Sequence, residues 1–230
     1  MKKILLVVLT LILSTNYLFA QNRSKEVRIS NEAIKIIRKL KSSDFHKVID
    51  KNDNPVYLLK NTNNAKKFMK LNLDYEVYNE SEMKKHNEID ASDSTEFVQI
   101  SSYDSDVMGI CRSFVQALIS DKNWLKSKYT SKVSKNIYIQ KGRVLISLGK
   151  GKGHSGHIVV YMGRDSTGIW VLDQNYYYST LNEDYETSVV IGGAEVNSTT
   201  GVVSIHKILF KEKDFKSVSN AYTYMTLEKK

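Results

Sequence analysis

The chain has 230 residues and a formal net charge of +9 at pH 7. This length suits one domain, or one core with an N-terminal extension. The basic charge indicates either attraction to an anionic polymer such as cell wall, lipid headgroups or nucleic acid, or solubility alone. A single Cys excludes an internal disulfide, so Cys111 is a buried small side chain, an intermolecular link or a reactive thiol.

The first 20 residues are predicted to be a signal peptide that is not part of the fold. Lys2 and Lys3 form a charged start, and the apolar run from Ile4 to Leu13 is too short to span a bilayer comfortably. Ala20 supplies the small residue before a cut at Gln21. We expect an exported protein, periplasmic or secreted, without stable membrane insertion after cleavage; the alternative is an uncleaved membrane anchor.

Residues 21–94 are predicted to form an N-terminal extension of helices and strands whose role the sequence does not indicate. Asn31 is the candidate N-cap of its first helix. The small polar run at residues 90–94 predicts the boundary with a second region, residues 95–230. Further elements predicted in the extension are a strand at residues 56–59 and short helices at residues 64–71 and 80–86.

The pattern from residue 95 onwards predicts an α+β domain, in which a helix over residues 108–120 contains the single Cys. Cys111 and Phe114 lie on the apolar face of this helix. Free backbone N–H groups and the helix dipole near its start favour the thiolate form of Cys111. The alternative is that Cys111 only opens a stripe of core residues.

Two predicted strands carry the other polar groups that thiol chemistry requires. His157 to Met162 is one strand, and Ile169 to Gln174 returns beside it. Asp173 lies near the end of the second strand, but the register is open by one residue, and a slip would turn Asp173 to the other face. Further strands are predicted at residues 97–100, 143–148, 201–210 and 221–227.

Cys111, His157 and Asp173 are the predicted catalytic residues. In such a set the thiolate attacks a carbonyl, and the imidazole activates the thiol and then protonates the leaving amine. The acid holds the imidazole in the right tautomer, and backbone N–H groups at the helix start form part of an oxyanion hole. Asn175, two residues beyond Asp173, is the alternative orienting group.

These segments resemble the NlpC-type and CHAP cysteine amidases. Gly109-Ile110-Cys111-Arg112-Ser113-Phe114-Val115 is similar to their Cys-bearing helix start, Gly156-His157-Ile158-Val159-Val160-Tyr161 to their His strand, and Asp173-Gln174-Asn175 to the segment on their next strand. The resemblance covers roughly residues 95–226 and implies a papain-like core, with the Cys-bearing helix packed on an antiparallel sheet. It also implies hydrolysis of peptide or amide bonds in peptidoglycan, and the segments look closest to those of amidase toxins delivered to rival bacteria.

The Gly- and Lys-rich loop at residues 149–155 is predicted to lie beside the catalytic His. It lacks the ending and the following helix of a phosphate loop. His154 and His157 are three residues apart and would point to opposite faces of a strand, so neither a metal nor a cofactor is predicted. His206 is predicted to be a surface or structural residue. The predicted substrate-binding residues are Asn175, His154, Trp170 and Lys152.

The sequence therefore predicts an exported cysteine hydrolase acting on peptidoglycan. Two alternatives stay open: a catalytically inactive wall-binding module of the same fold, and a periplasmic immunity or inhibitor protein that acts through its N-terminal region. The expected partners are peptidoglycan or its stem peptides, together with an immunity protein if the chain is a toxin. Nucleic acid is not an expected partner.

Overall fold

The computed structural model describes residues 25–49, 55–79, 95–101, 111–119, 123–133, 136–147, 157–174, 202–210 and 224–229. The predicted signal peptide, the predicted helix at residues 80–86 and the predicted boundary segment at residues 90–94 lie outside these ranges. Across the described ranges, no helix has the length and apolar character needed to cross a membrane.

Short helices and ten strands make up the regular structure of the described residues. The α-helices are α1 (Asn31–Ile37) and α2 (Cys111–Leu118), and there are 3₁₀ helices at Ser42–Asp44, Ala65–Leu71 and Trp124–Lys126. The strands are β1 (Phe45–Ile49), β2 (Pro55–Leu59), β3 (Asp74–Asn79), β4 (Glu96–Ser101), β5 (Lys128–Lys132), β6 (Val144–Ser147), β7 (His157–Arg164), β8 (Gly168–Gln174), β9 (Val203–Leu209) and β10 (Tyr224–Glu228).

Eight of these strands form one large antiparallel sheet, in the order β1-β2-β9-β8-β7-β6-β10-β5. Strands β3 and β4 form a separate antiparallel pair. The fold is thus mixed α and β, with few helices and one dominant sheet, and is compatible with the predicted α+β class. The strands that carry His157 and Asp173 are neighbours near the middle of the sheet.

Helix α2, which carries Cys111, packs on one face of the large sheet. Its apolar side chains share a core cluster with β7 and β8, and the members of this cluster include Phe114, Val115, Leu118, Val160 and Leu172. Val159 and Val171 belong to a second cluster. Since successive side chains of a strand point to opposite faces, this second cluster lies on the face that α2 does not cover.

The N-terminal extension is built into the same sheet and core. Strand β2 pairs with β9, and Val27 lies in the core cluster that contains Phe114. The buried guanidinium of Arg143 donates a 2.9 Å hydrogen bond to Glu26. The composition of the chain changes near residue 94, but residues on both sides of that point share one sheet and one core.

Helix α1 begins one residue earlier than predicted. Ser30, not Asn31, is the N-cap, because its Oγ accepts a 3.0 Å hydrogen bond from the backbone N–H of Ala33. Asn31 is instead the first residue of the helix. The helix predicted at residues 64–71 is the 3₁₀ helix Ala65–Leu71.

Candidate active site

Three elements bring Cys111, His157 and Asp173 together. Cys111 is the first residue of α2, His157 is the first residue of β7, and Asp173 is the last but one of β8. Nε2 of His157 lies 2.6 Å from Oδ2 of Asp173. His157 also hydrogen-bonds the partly buried thiol of Cys111. The three residues predicted to be catalytic are therefore in continuous contact.

The register between β7 and β8 places Asp173 on the same face as His157. Val160 pairs with Leu172, so Asp173, one residue further on, lies opposite Val159. Residues two apart on a strand share a face, so His157 lies diagonally across from Asp173, on the face of Val159 and Val171. Helix α2 packs on the other face, and Cys111, its first residue, meets His157 at the beginning of β7. The register that the sequence left open thus places Asp173 beside the imidazole, while Asn175, the other predicted orienting group, lies outside the described ranges.

The contact with Asp173 determines how the His157 ring is used. An ionised carboxylate only accepts hydrogen bonds, so Nε2 of His157 carries a hydrogen and donates it. The other ring nitrogen, Nδ1, is then the one that serves Cys111. The side chain of Asp173 is 0% exposed and that of His157 is 16% exposed, so only the imidazole end of the pair meets solvent.

The charges of the site favour a thiolate and an imidazolium. Burial raises the pKa of the Cys111 thiol, but the charge of His157, its hydrogen bond and the N–H of Ile158 together bring that pKa below its ordinary value. Burial lowers the pKa of His157, while Cys111 and Asp173 raise it to about 10. At neutral pH the arrangement therefore stabilises a negative sulfur beside a positive imidazole.

Asp173 is ionised despite its complete burial. Burial raises the pKa of its carboxyl group, but the charge of His206 and the hydrogen bonds from His157 and His206 bring the pKa below the ordinary value. A buried carboxylate is tolerated when several donors replace its lost hydration. Asp173 can thus act as a permanent negative charge behind the imidazole.

Two residues of β9 supply the remaining donors to Asp173. Oγ of Ser204 donates to Oδ1 at 2.9 Å, and Nε2 of His206 lies 3.0 Å from Oδ2. Ser204 pairs with Asp173 across the strands and His206 pairs with Val171, so these side chains share the His157 face. Of the two alternatives for His206, surface or structural, the surface one is wrong, because this residue is 1% exposed.

Gln174 connects the acid-bearing strand to the strand that precedes the Cys-bearing helix. Its Oε1 accepts a 2.8 Å hydrogen bond from the N–H of Ile100, and its Nε2 donates a 3.0 Å hydrogen bond to the carbonyl of the same residue. Gln174 is fully buried, and β4 in turn contacts α2. Through β4, Gln174 thus links the strand of Asp173 to the helix of Cys111.

The predicted substrate-binding residues do not add to this cluster in the described ranges. Asn175, His154 and Lys152 lie outside those ranges. Trp170 is three residues before Asp173 and on the opposite face of β8. Its ring lies under the ammonium group of Lys207, with 4.9 Å between Nζ and the ring centre. Trp170 therefore lies away from the side chains of the predicted catalytic residues.

Within the described ranges, no cluster of three or more His, Cys, Asp or Glu side chains is arranged to hold a metal ion.

Comparison of the chain with protein-family models, curated proteins and solved structures finds no match. The chemistry of the site is therefore inferred from its own residues and their geometry.

We expect Cys111 to react with iodoacetamide at a lower pH than an ordinary thiol does. The rate should be half-maximal below about pH 8.5, because alkylation follows the thiolate fraction and His157 stabilises the thiolate. The rate can be measured by mass spectrometry from about pH 5 to about pH 10. The urea-unfolded chain, with the same single Cys, is the control. A folded-state midpoint at or above that of the unfolded chain would contradict the ion pair.

Proposed function

We propose that the chain is an exported cysteine hydrolase that cleaves peptide or amide bonds in peptidoglycan, with a papain-like core of the NlpC-type and CHAP class. The observation that carries this proposal is the continuous contact from Cys111 through His157 to Asp173. The packing of α2 on an antiparallel sheet whose strand β7 begins with His157 supports the papain-like assignment.

The proposed reaction begins with attack of the Cys111 thiolate on the carbonyl carbon of the scissile bond. The imidazolium of His157 gives its Nδ1 proton to the nitrogen of the leaving amine as the carbon–nitrogen bond breaks, which leaves a thioester on Cys111. Water then attacks the thioester while His157 accepts a proton from it. The carboxylic acid product leaves, and the thiolate and imidazolium are restored.

Asp173 assists both steps without exchanging a proton. Its negative charge stabilises the imidazolium of His157, and its hydrogen bond keeps Nδ1 directed at the sulfur. The N–H of Ile158 bonds the sulfur and further stabilises the thiolate. The oxyanion-hole N–H groups expected ahead of Cys111 fall at residues 108–110, outside the described ranges.

Peptidoglycan is the proposed substrate for three reasons. The predicted signal peptide would bring the protein to the compartment that holds the wall. The motifs around Cys111, His157 and Asp173 resemble those of wall amidases. Once Lys2 and Lys3 leave with the signal peptide, the formal charge falls from +9 to +7 and would still attract the protein to acidic wall polymers and stem peptides. If the protein is a toxin, an immunity protein is its second proposed partner.

Digestion of purified peptidoglycan tests the proposal. The protein should release soluble fragments with new amino groups, which can be identified by mass spectrometry, and prior alkylation with iodoacetamide should stop their release. Binding to the wall without new amino groups would favour an inactive wall-binding module. If the protein neither binds the wall nor releases fragments, an immunity or inhibitor protein is favoured.

A further inference from the structure

We propose that His206 and Ser204 are positioning residues that fix the carboxylate of Asp173 against His157; this inference rests on the proposed thiol chemistry of the site. Neither residue belongs to the motifs on which the resemblance to wall amidases is based. Both come from β9, the strand on the side of β8 opposite to β7. The carboxylate of Asp173 is thus held from both neighbouring strands.

Three donors converge on the two oxygens of Asp173. His157 and His206 both reach Oδ2, at 2.6 Å and 3.0 Å, while Ser204 donates to Oδ1 at 2.9 Å. Since Asp173 is an acceptor only, Nε2 of His206 must carry its hydrogen. Rotation of the carboxylate group would weaken all three contacts at once, so its plane is set by the combination of donors.

His206 acts through Asp173 and not on the reacting atoms. The groups that shift the pKa of the Cys111 thiol most are His157, Ile158 and Asp173, whereas the Nε2 hydrogen bond of His206 goes to Asp173. His206 is 1% exposed, which also keeps it from contacting a substrate directly. A residue so placed affects the nucleophile only by altering how well Asp173 stabilises the imidazolium.

The expected consequence of removing this support has a definite sign. Without the donor of His206, the carboxylate of Asp173 is no longer fixed against Nε2 of His157, so it orients and stabilises the imidazolium less well. When less of His157 is protonated, the Cys111 thiolate is stabilised less, so alkylation of the thiol should need a higher pH. The ionisable side chains that face Asp173 in the described ranges are His157, His206 and Cys111.

Two substitutions at residue 206 separate positioning from packing. His206→Phe keeps a ring of similar size but removes the donor, whereas His206→Gln keeps a donor. We expect His206→Phe to move the midpoint of Cys111 alkylation to higher pH. In peptidoglycan digestion it should lower kcat roughly 10- to 100-fold with KM little changed, as is typical when the partner of an orienting group is removed. His206→Gln should restore most of both properties.

Ser204→Ala and Ile208→Val complete the design. Ser204→Ala removes one hydroxyl and should shift the alkylation midpoint in the same direction but less. Ile208→Val alters a side chain of β9 that packs in the second core cluster and does not contact Asp173, so the midpoint should not move. Thermal unfolding of each variant establishes that it is folded.

The alkylation midpoint decides the inference without any wall substrate. If the midpoint is unchanged in folded His206→Phe, or in Ser204→Ala where the Phe variant does not fold, the residues are structural only and the inference is overturned. An equal upward shift in Ile208→Val would overturn it as well. If the midpoints shift as expected but the wild-type protein releases no wall fragments, the proposed substrate fails while the positioning role stands.

Discussion

Replacement of Cys111 by Ala is expected to abolish the release of peptidoglycan fragments and to leave the fold intact. Without a sulfur no thioester can form, and the rest of the site cannot substitute for the missing nucleophile. The loss should be roughly 10⁴-fold or more, because nucleophile and base act as a unit. The cost in the free energy of unfolding should be only about 1–2 kcal/mol, since one partly buried atom is removed.

The variant Ile119→Val is a matched control for Cys111→Ala, since Ile119 lies just after helix α2 and packs against the same core. It removes one methylene group from the packing but leaves the thiol in place, so its activity should stay near that of the wild type. Fragment release is followed by mass spectrometry, and folding by thermal unfolding. Wild-type activity in the Ala variant would remove the thiol mechanism outright.

The central strands could be predicted because their apolar side chains indicate buried strands. In β7 and β8 the apolar residues form nearly continuous runs, such as Ile158 to Tyr161, bounded by glycine or charged residues. Strands β1, β3 and β5 are not predicted. Strand β5 lies at the edge of the large sheet, and within the described part of the chain β3 pairs only with β4, so these two strands keep polar residues that hide the apolar period.

The support of Asp173 could not be predicted because it depends on which strands become neighbours. Alternation shows that Ser204 and His206 share a face of β9, but not that β9 lies beside β8. The register of β7 against β8 contains an irregularity between Tyr161 and Gly163, which the predicted strand misses because it ends at Met162, although a glycine within a strand often marks a bulge. For β8 and β9 the missing information is a long-range pairing set by the packing of the whole sheet.

The place of the N-terminal extension in the fold also depends on a long-range strand pairing. Its polar composition predicts an N-terminal extension but does not indicate that β2 pairs with β9 or that Val27 enters the common core. A strand that reaches a sheet from far along the chain leaves no local signal of its destination. Since β9 also carries Ser204 and His206, the extension supports the strand whose side chains hydrogen-bond the carboxylate of Asp173.

The largest effect after that of Cys111 is expected at His157. The substitution His157→Ala removes the charge that lowers the pKa of the thiol, so the thiolate fraction at neutral pH falls. It also removes the group that protonates the leaving amine. We therefore expect a loss of fragment release as large as that of Cys111→Ala, together with alkylation of Cys111 that needs a higher pH than in the wild type.

Asp173→Asn should be less damaging than His157→Ala, because Asp173 orients the imidazole and stabilises its charge but takes no part in bond making. A loss of roughly 10²- to 10⁴-fold in kcat is expected. Asn is preferred to Ala here, because it keeps the shape of the side chain beside the buried donors Ser204 and His206. His46→Ala is the control: His46 lies on edge strand β1, where its ring contacts Phe97, and its loss should leave kcat unchanged. If His157→Ala retained more activity than Asp173→Asn, the roles assigned to the two residues would be wrong, and the base would have to be sought elsewhere.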